Sequence, residues 1–360
     1  MNIITIIGAR PQFIKSSVLS RFIHENKSFG INEVVIHTGQ HYDKNMYDVF
    51  FKEMNIPMPE VDLKIKSGNH GKSTGLMIGQ IEDEIIKRKP DAVLVYGDTN
   101  STLAGALAAS KLHIPIAHVE AGLRSFMMIM PEEQNRRLTD HLSTWLFCPN
   151  RNALDNLRHE GIVDHNEANI KPSSDNKSVS ISGDIMYDAS LYYRTKNPFH
   201  TDEKDFFLLT IHRAENTDNE KNLISICNAI NELSSYKFIF PVHPRTMKII
   251  KDKKISLSHH IKMINPVGYF EMMALELACN AILTDSGGIQ KEAYFYKKPC
   301  VTLRESTEWV ELVEEGWNIL SGADTEKIIN AVKNLSIPSK YPSLYGDGNC
   351  AKYICDILTK

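Results

Sequence analysis

Residues 283–293 read L-T-D-S-G-G-I-Q-K-E-A, and this stretch indicates the fold of the chain most directly. The apolar run Ala281–Leu283 is typical of the end of a buried strand, and a helix is predicted from Ile289. The turn between them contains two glycines, so its backbone N–H groups can approach a ligand closely. Because a helix N-terminus carries a partial positive charge, this turn is suited to a phosphate group. Glu292, on the first turn of the predicted helix, could accept two ribose hydroxyls.

A glycine-rich turn that binds nothing is the alternative interpretation of this stretch. The sequence around the turn alone does not decide between the two, and the rest of the chain has to.

The composition is typical of a globular enzyme with two domains. The chain has 360 residues, of which 42% are hydrophobic and 24% charged, which is enough for two separate cores. A net charge of −3 gives no basic field, so we expect no nucleic-acid partner. The six cysteines are scattered, with no C-x-x-C pair and no zinc site. With no signal peptide and no membrane-spanning apolar run in view, we expect a cytoplasmic protein without membrane contact.

Short apolar runs alternate with helical patterns along the chain, which predicts parallel βα units. Two series of such units are separated by a polar segment at residues 164–177, which we interpret as a linker or a loop beside it. The predicted fold is therefore α/β, with two doubly wound Rossmann-like domains facing a cleft.

Eight polar positions lie just past the ends of predicted strands, at the edge where open parallel sheets bind ligands. They are Arg10, His41, Asp98, Glu120, Arg124, His212, His243 and the turn at Ser286. Any one of them could instead be a helix cap, for which Asp98 and Thr99 are good candidates. Capping alone does not account for all eight positions.

The charges of these groups suggest a division of labour between the domains. The first supplies carboxylates, namely Asp98, Glu120, Glu132 and Glu133. The second supplies groups suited to a phosphate and a nucleoside, namely His212, Arg213, Ser286 and Glu292. Carboxylates around a cationic pocket favour proton transfer at carbon while a diphosphate leaves. The sequence after the first strand lacks the G-x-G-x-x-G spacing of a dinucleotide site, which disfavours hydride transfer.

Seven motifs, in order, resemble those of the non-hydrolysing UDP-N-acetylglucosamine 2-epimerase family. They are G-A-R-P-Q-F-I-K at 8–15, G-D-T-N-S-T at 97–102, H-V-E-A-G-L-R at 118–124, P-E-E-Q-N-R at 131–136, H-R-A-E-N at 212–216, T-D-S-G-G-I-Q-K-E at 284–292 and Y-G-D-G at 345–348. The resemblance implies a homodimer with the GT-B fold, whose last helix crosses back onto the first domain. We accordingly expect an N-terminal acid–base domain at residues 1–170, completed by 346–360, and a UDP-binding domain at 178–345.

The resemblance also implies the reaction. The C2 proton of a UDP-sugar is removed and UDP leaves, giving a 2-acetamidoglucal; UDP then adds back while C2 is reprotonated on the opposite face. No cofactor and no metal is required, and the product is a precursor of bacterial surface polysaccharide such as O-antigen. Matched by position, the catalytic residues are Asp98, Glu120, Glu132 and His212. The predicted substrate- and UDP-binding residues are Arg10, Lys15, Arg213, Ser286, Gly287, Gly288 and Glu292. Which carboxylate is the acid and which the base stays open.

Departures from the family pattern suggest the branch that acts on UDP-2,3-diacetamido-2,3-dideoxyglucuronate. Trp309 replaces a basic residue on the substrate side, whereas residues 126–130 lack a basic residue that is frequent in that branch. A uronate carboxylate would need a cation, for which Arg124, Arg136 and Lys291 are the candidates.

Three other functions stay open. A glycosyltransferase would share the fold but needs at most one base, and a catalytically silent UDP-sugar sensor would need no acid–base set. A hydrolysing 2-epimerase, which releases free sugar, is the nearest alternative.

Overall fold

A computed structural model describes residues 1–40, 54, 58–65, 68–165 and 172–360. These residues form two compact units, Met1–Tyr192 with Ser343–Lys360, and Tyr193–Pro342. The predicted site residue His41 and part of the predicted linker lie outside the described residues.

Each unit contains one parallel sheet. The strands of the first sheet are β1 (Asn2–Ile7), β2 (Asn32–His37), β3 (Val61–Asp62), β4 (Ala92–Tyr96), β5 (Ile116–Val119), β6 (Trp145–Cys148) and β7 (Ser178–Ile181). Those of the second are β8 (Phe206–Thr210), β9 (Lys237–Pro241), β10 (Ile261–Ile264), β11 (Ala281–Thr284), β12 (Cys300–Thr302) and β13 (Asn318–Leu320).

Helices connect successive strands, as parallel pairing requires. They are α1 (Arg10–Glu25), α2 (His70–Arg88), α3 (Asn100–Lys111), α4 (Pro131–Leu142), α5 (Arg151–His159), α6 (Ile185–Lys196), α7 (Ala214–Thr217), α8 (Glu220–Glu232), α9 (Pro244–Asp252), α10 (Tyr269–Ala278), α11 (Gly287–Phe295), α12 (Val310–Glu314), α13 (Thr325–Lys333) and α14 (Cys350–Leu358). None of the helices in the described part of the chain has an apolar stretch sufficient to span a lipid bilayer.

Both sheets have the doubly wound strand order. The first runs β3-β2-β1-β4-β5-β6-β7 and the second β10-β9-β8-β11-β12-β13. The central strands are covered on both faces: all five residues of β4 are buried, and so are all but the first of β1. This explains why they are continuous apolar runs rather than alternating ones. In each sheet the strand order reverses at one pair, β1 with β4 and β8 with β11, and ligands of doubly wound folds bind at such a reversal.

The first unit extends further along the chain than the predicted domain. We expected the second domain to begin at residue 178, but Ser178–Ile181 pairs with β6 as the last strand of the first sheet. The division between the units falls within α6. The sequence S-V-S-I is short and half polar, so its apolar signal is too weak to predict a strand.

The C-terminal segment is anchored to the first unit by hydrogen bonds at the start of α6. The Asp184 backbone N–H donates to the Tyr345 carbonyl at 3.0 Å. The Ala351 N–H donates to the Asp188 carboxylate at 2.9 Å. Burial raises the pKa of Asp188 to about 6, although the N–H groups of Ala351 and Cys350 oppose the shift. The segment therefore completes the first unit through buried contacts.

Candidate functional site

In the first unit, one buried amide joins the ends of β1 and β4. The Gln12 side chain is 1% exposed. Its Oε1 accepts from the backbone N–H groups of Gly8 and Ala9, at 2.8 and 3.0 Å. Its Nε2 donates to the Tyr96 carbonyl at 3.0 Å and to Thr102 Oγ1 at 2.9 Å. Gln12 thus fixes the turn after β1 at the point where the strand order reverses.

Arg10 and Lys15, two predicted substrate-binding residues, both lie on the helix that follows this turn. Arg10 is the first residue of α1. Lys15, more than a turn further along, is buried and forms an ion pair with Glu120. The structure therefore brings Lys15 together with a predicted catalytic carboxylate.

Glu120 follows β5 in a backbone conformation that is rare for a residue with a side chain. Its φ is +71°, in the left-handed region, which costs roughly 1–2 kcal/mol for a non-glycine residue. Its side chain is 8% exposed. A Cβ placed on Gly97 would lie 3.1 Å from Glu120 Oε2 and 3.2 Å from Lys15 Nζ, so the ion pair borders the turn after β4. Backbone strain of this kind persists where surrounding contacts enforce it, often at functional sites.

Asp98 follows β4 and is held by two residues of α4. Its carboxylate pairs with the Arg136 guanidinium, and its side chain remains 32% exposed. Its backbone carbonyl accepts from Asn135 Nδ2 at 2.9 Å. Asp98 is therefore fixed in position while part of its carboxylate faces solvent.

The two neighbouring glutamates at the start of α4 have different environments. Glu133 is fully buried, and its Oε2 accepts from Ser125 N at 2.8 Å and from Ser125 Oγ at 3.0 Å. Burial alone would raise the pKa of Glu133, but these bonds and the pairing with Arg137 and Arg136 lower it below its usual value. Glu133 therefore anchors the preceding loop. Glu132, on the first turn of the helix, is half-buried and is the more exposed of the two.

A buried charge network lies behind the carboxylates. His118 Nδ1 is 2.7 Å from Asp140 Oδ1, and its Nε2 is 2.8 Å from the Gly97 carbonyl oxygen. Each ring nitrogen of His118 therefore faces an oxygen atom that can accept a hydrogen bond. Arg124 NH1 donates to Asp140 Oδ2 at 2.7 Å. Burial alone would raise the pKa of Asp140, but His118 and Arg124 outweigh it and lower the pKa.

Arg124 belongs to this network and does not face a ligand. Its side chain has no exposed surface, and it also donates to Glu160 at 2.9 and 2.6 Å. Of the three cations considered for binding a uronate carboxylate, Arg124 is therefore excluded, because its buried guanidinium is already paired with Asp140 and Glu160.

In the second unit a single carboxylate organises the end of β8. Asp285, which is completely buried, accepts from the backbone N–H groups of His212 and Arg213, with distances of 3.0 to 3.1 Å. Asn216 Nδ2 donates to the same carboxylate at 3.1 Å and to the Leu303 carbonyl at 2.9 Å. Asp285 thus joins the loop after β8 to the turn after β11.

His212 is the most exposed of these groups. Its side chain is 40% exposed, and its Nδ1 lies 3.3 Å from Asp285 Oδ1. Partial burial and the nearby Arg213 and His243 lower the pKa of His212, and Asp285 offsets this only in part. At pH 7 the imidazole is therefore mainly neutral, so one nitrogen can donate a hydrogen bond and the other can accept one.

The glycine turn starts its helix earlier than predicted. α11 begins at Gly287, with Ser286 as its N-cap residue, where we expected the helix from Ile289. Glu292 is consequently in the second turn, and it is 8% exposed. A Cβ on Gly288 would find no atom closer than Ser286 Oγ at 4.0 Å. The helix start is therefore open to an anion at this point, which is the condition for phosphate binding.

Glu276 of α10 is a buried carboxyl group that the sequence did not single out. It is 1% exposed, and its Oε1 has no hydrogen-bond partner among the described residues. Burial, and then the charge of Glu292, raise the pKa of Glu276 well above its usual value. The protonated form of Glu276 is thus favoured beside Glu292, the residue predicted to bind the ribose.

Some of the predicted residues therefore lie together within each unit. Lys15, Glu120 and the turn before Asp98 are neighbours in the first, and Arg213 lies beside the Ser286 turn in the second, with its NH2 3.9 Å from a Cβ built on Gly287. Sequence reasoning missed Gln12, Asp140 and Glu276. Over the described ranges, no group of three or more His, Cys, Asp or Glu residues is arranged to hold a metal ion.

Comparison with known proteins gives consistent matches over the full chain. A family model described as UDP-N-acetylglucosamine 2-epimerase matches residues 23–359. The chain is 49% identical to UDP-2,3-diacetamido-2,3-dideoxy-D-glucuronate 2-epimerase of Pseudomonas aeruginosa, with 100% of both proteins covered. It is also 49% identical to a UDP-N-acetylglucosamine 2-epimerase homolog of Methanococcus maripaludis, with 99% of each covered.

Solved structures agree with these matches. The chain superposes on Methanocaldococcus jannaschii UDP-GlcNAc 2-epimerase in complex with UDP-GlcNAc and UDP with a TM-score of 0.87 and 44% identity, covering 100% of this chain and 99% of the other. The resemblance found from the motifs and the predicted GT-B-like α/β fold are confirmed.

We predict that Asp140→Asn destabilises the protein by about 3–5 kcal/mol, because it removes the buried carboxylate that His118 and Arg124 share and leaves Arg124 with Glu160 as its carboxylate partner. The control is Asp155→Asn, which removes a carboxylate paired with Arg151 at 3.1 Å on the surface. That variant should lose less than about 0.5 kcal/mol. Urea unfolding of both variants measures the difference, and equal losses would contradict the role assigned to the network.

Proposed function

Because the chain belongs to the UDP-N-acetylglucosamine 2-epimerase family, we propose that it epimerises C2 of a UDP-2-acetamido sugar by eliminating UDP and adding it back. The observation that carries the proposal is the set of carboxylates at the ends of neighbouring strands in the first unit. Asp98 after β4 and Glu120 after β5 are each held by a cation from a helix, Arg136 or Lys15.

In this proposal the first unit carries the groups that move protons. C2 loses its proton on one face of the sugar and regains a proton on the other, so at least two acid–base groups are needed. Asp98, Glu120 and Glu132 can supply them. Negative charge also develops while the C2 proton is removed, and Lys15, beside Glu120, would stabilise it.

The second unit carries the groups that hold the nucleotide. The start of α11 at Ser286–Gly288 would bind the diphosphate, with its backbone N–H groups donating hydrogen bonds to the phosphate oxygens. The neutral imidazole of His212 would donate a hydrogen bond to a phosphate oxygen, and the carboxylate of Glu292 would accept hydrogen bonds from the ribose hydroxyls. Together with Arg213, these donors would stabilise UDP as a leaving group.

We also propose that the enzyme is a cytoplasmic homodimer that supplies a precursor of surface polysaccharide. All six cysteines are buried, which suits a reducing compartment. The dimer and the polysaccharide are supported by the resemblance of the sequence motifs to the family.

The central test of the reaction is turnover of the UDP-sugar in heavy water. We predict that both epimers acquire deuterium at C2, because the proton removed from C2 exchanges with solvent before it is returned. Proton NMR follows the loss of the H2 signal, with enzyme-free substrate as the control. Epimerisation without label at C2 would contradict the elimination mechanism. The same spectra distinguish the alternatives, since a hydrolysing enzyme releases free sugar and a transferase leaves C2 unchanged.

The variants Asp98→Asn, Glu120→Gln and Glu132→Gln should each lower kcat by roughly 100-fold or more, the usual scale for general acid–base groups. UDP affinity should change little, because the diphosphate turn belongs to the second unit. Glu60→Gln is the matched control: it removes a half-exposed carboxylate that pairs with Arg88 in the same unit. Steady-state kinetics and UDP calorimetry give both quantities. Normal turnover in one of these variants would show that the substituted residue is not one of the acid–base groups.

For the substrate, we propose a UDP-sugar with a second acetamido group at C3 or a carboxylate at C6. The named substrate of the Pseudomonas relative supports this choice. Because a hydrogen bond to a charged group is worth about 1.5–3 kcal/mol, we predict that a site built for the additional group gives a kcat/KM for such a substrate about tenfold or more above that for UDP-N-acetylglucosamine. Side-by-side kinetics decide it. Equal or better use of UDP-N-acetylglucosamine would refute the substrate while leaving the epimerase reaction intact.

A further inference from the structure

Trp309 lies against the first two turns of α11. Its Nε1 is 3.6 Å from the position of a Cβ built on Gly287. The Lys291 ammonium lies over the indole ring, 4.2 Å from its centroid. Gly287 and Lys291 are four residues apart and therefore share one face of the helix. The indole thus lies beside the start of α11, with its N–H near Gly287 and its ring next to the Lys291 ammonium.

Buried hydrogen bonds fix the segment that carries Trp309. The Trp309 backbone N–H donates to Thr307 Oγ1 at 3.1 Å, and that hydroxyl donates to Gln290 Oε1 of α11 at 2.6 Å. Asn318 Nδ2 donates to the same Gln290 oxygen at 3.2 Å. Because these groups are buried and ordered by their own bonds, the indole N–H is held in place before any ligand arrives.

The charges around Gly287 favour an anion. Arg213 NH2 and Glu308 Oε2 each lie 3.9 Å from the same Cβ position. Glu308 would repel an anion, but its carboxylate is engaged by both terminal nitrogens of Arg304, at 3.0 and 3.3 Å. Arg213 and the helix N-terminus are then the charges that an anion meets at this position.

We propose that Trp309 donates its indole N–H to the diphosphate of UDP, as a neutral donor that replaces the cation expected at its position. This inference rests on the proposed UDP site at Ser286–Gly288. An indole N–H donates one hydrogen bond in a fixed direction and accepts none. The ammonium of Lys291 over the ring holds the indole by a cation–π contact and adds positive potential beside the donor.

The test compares UDP and uridine binding by calorimetry in the wild type and in Trp309→Phe, which keeps the ring but removes the N–H. The UDP Kd should rise about tenfold, the effect of one lost hydrogen bond to a charged group, while the uridine Kd should not change. Trp317→Phe is the matched control, because Trp317 is buried in the same unit and its Nε1 donates instead to the Lys340 carbonyl at 3.1 Å. That variant should bind UDP like the wild type.

Nuclear magnetic resonance provides a measurement that does not depend on the folding of Trp309→Phe. The chain has three tryptophans, so the indole N–H region of the wild-type spectrum contains three signals, assigned with Trp145→Phe and Trp317→Phe. The Trp309 signal should shift on addition of UDP and remain in place with uridine.

Three outcomes would overturn the inference. A Trp309→Phe protein that binds UDP as tightly as the wild type, or a Trp309 signal that UDP leaves unchanged, refutes the role of Trp309 while the proposed function stands. A wild-type chain that does not bind UDP refutes the proposed function, and the inference with it.

Discussion

The buried carboxylate of Asp285 is the contact on which the candidate nucleotide site depends. Where the strand order of a doubly wound sheet reverses, the loops after the two central strands diverge and leave backbone N–H groups without ladder partners. Buried groups of this kind must find acceptors, because leaving them unpaired costs about 1–3 kcal/mol each. Asp285 accepts from two successive N–H groups, those of His212 and Arg213. The first unit solves the same problem with an amide, Gln12, which accepts from Gly8 and Ala9.

The carboxylates of the first unit depend on a second constraint, the compensation of charge inside the protein. Buried ions are costly unless they are paired, so Asp140, His118 and Arg124 are stable only as a set. The set supports the turns on both sides of the site. His118 reaches the Gly97 carbonyl, and Asp140 accepts from the Gly122 N–H at 3.2 Å. Glu120 lies between His118 and Gly122 in the sequence, so the chain on both sides of it is bonded to Asp140.

The sequence predicts those parts of the fold and site that leave a local signal. The strands β1 and β4 are predictable because burial on both faces makes them unbroken apolar runs, and polar residues directly after such runs are conspicuous. β7 was missed because two of its four residues are serines. Gln12 and Asp140 were missed for a different reason. They lie inside helices, where a polar residue suggests an exposed face, and only the tertiary structure shows that both are buried. Arg124 was considered as a ligand because it is a cation that follows a strand, and its carboxylate partners, 16 and 36 residues away, leave no local signal.

The proposed reaction explains why a neutral hydrogen-bond donor at Trp309 can be useful. After elimination, UDP and the glucal have to remain bound together until UDP adds back. An ammonium would attract the diphosphate with little preference for direction and a guanidinium would bind it through two donors, whereas an indole N–H donates one hydrogen bond to one phosphate oxygen. Since re-addition needs the β-phosphate oxygen aligned with C1, a directional contact serves the return step, and effective alignment of this kind accelerates reactions strongly. The attraction itself is still supplied by Arg213 and the helix start, so the indole adds orientation to a site that is already cationic.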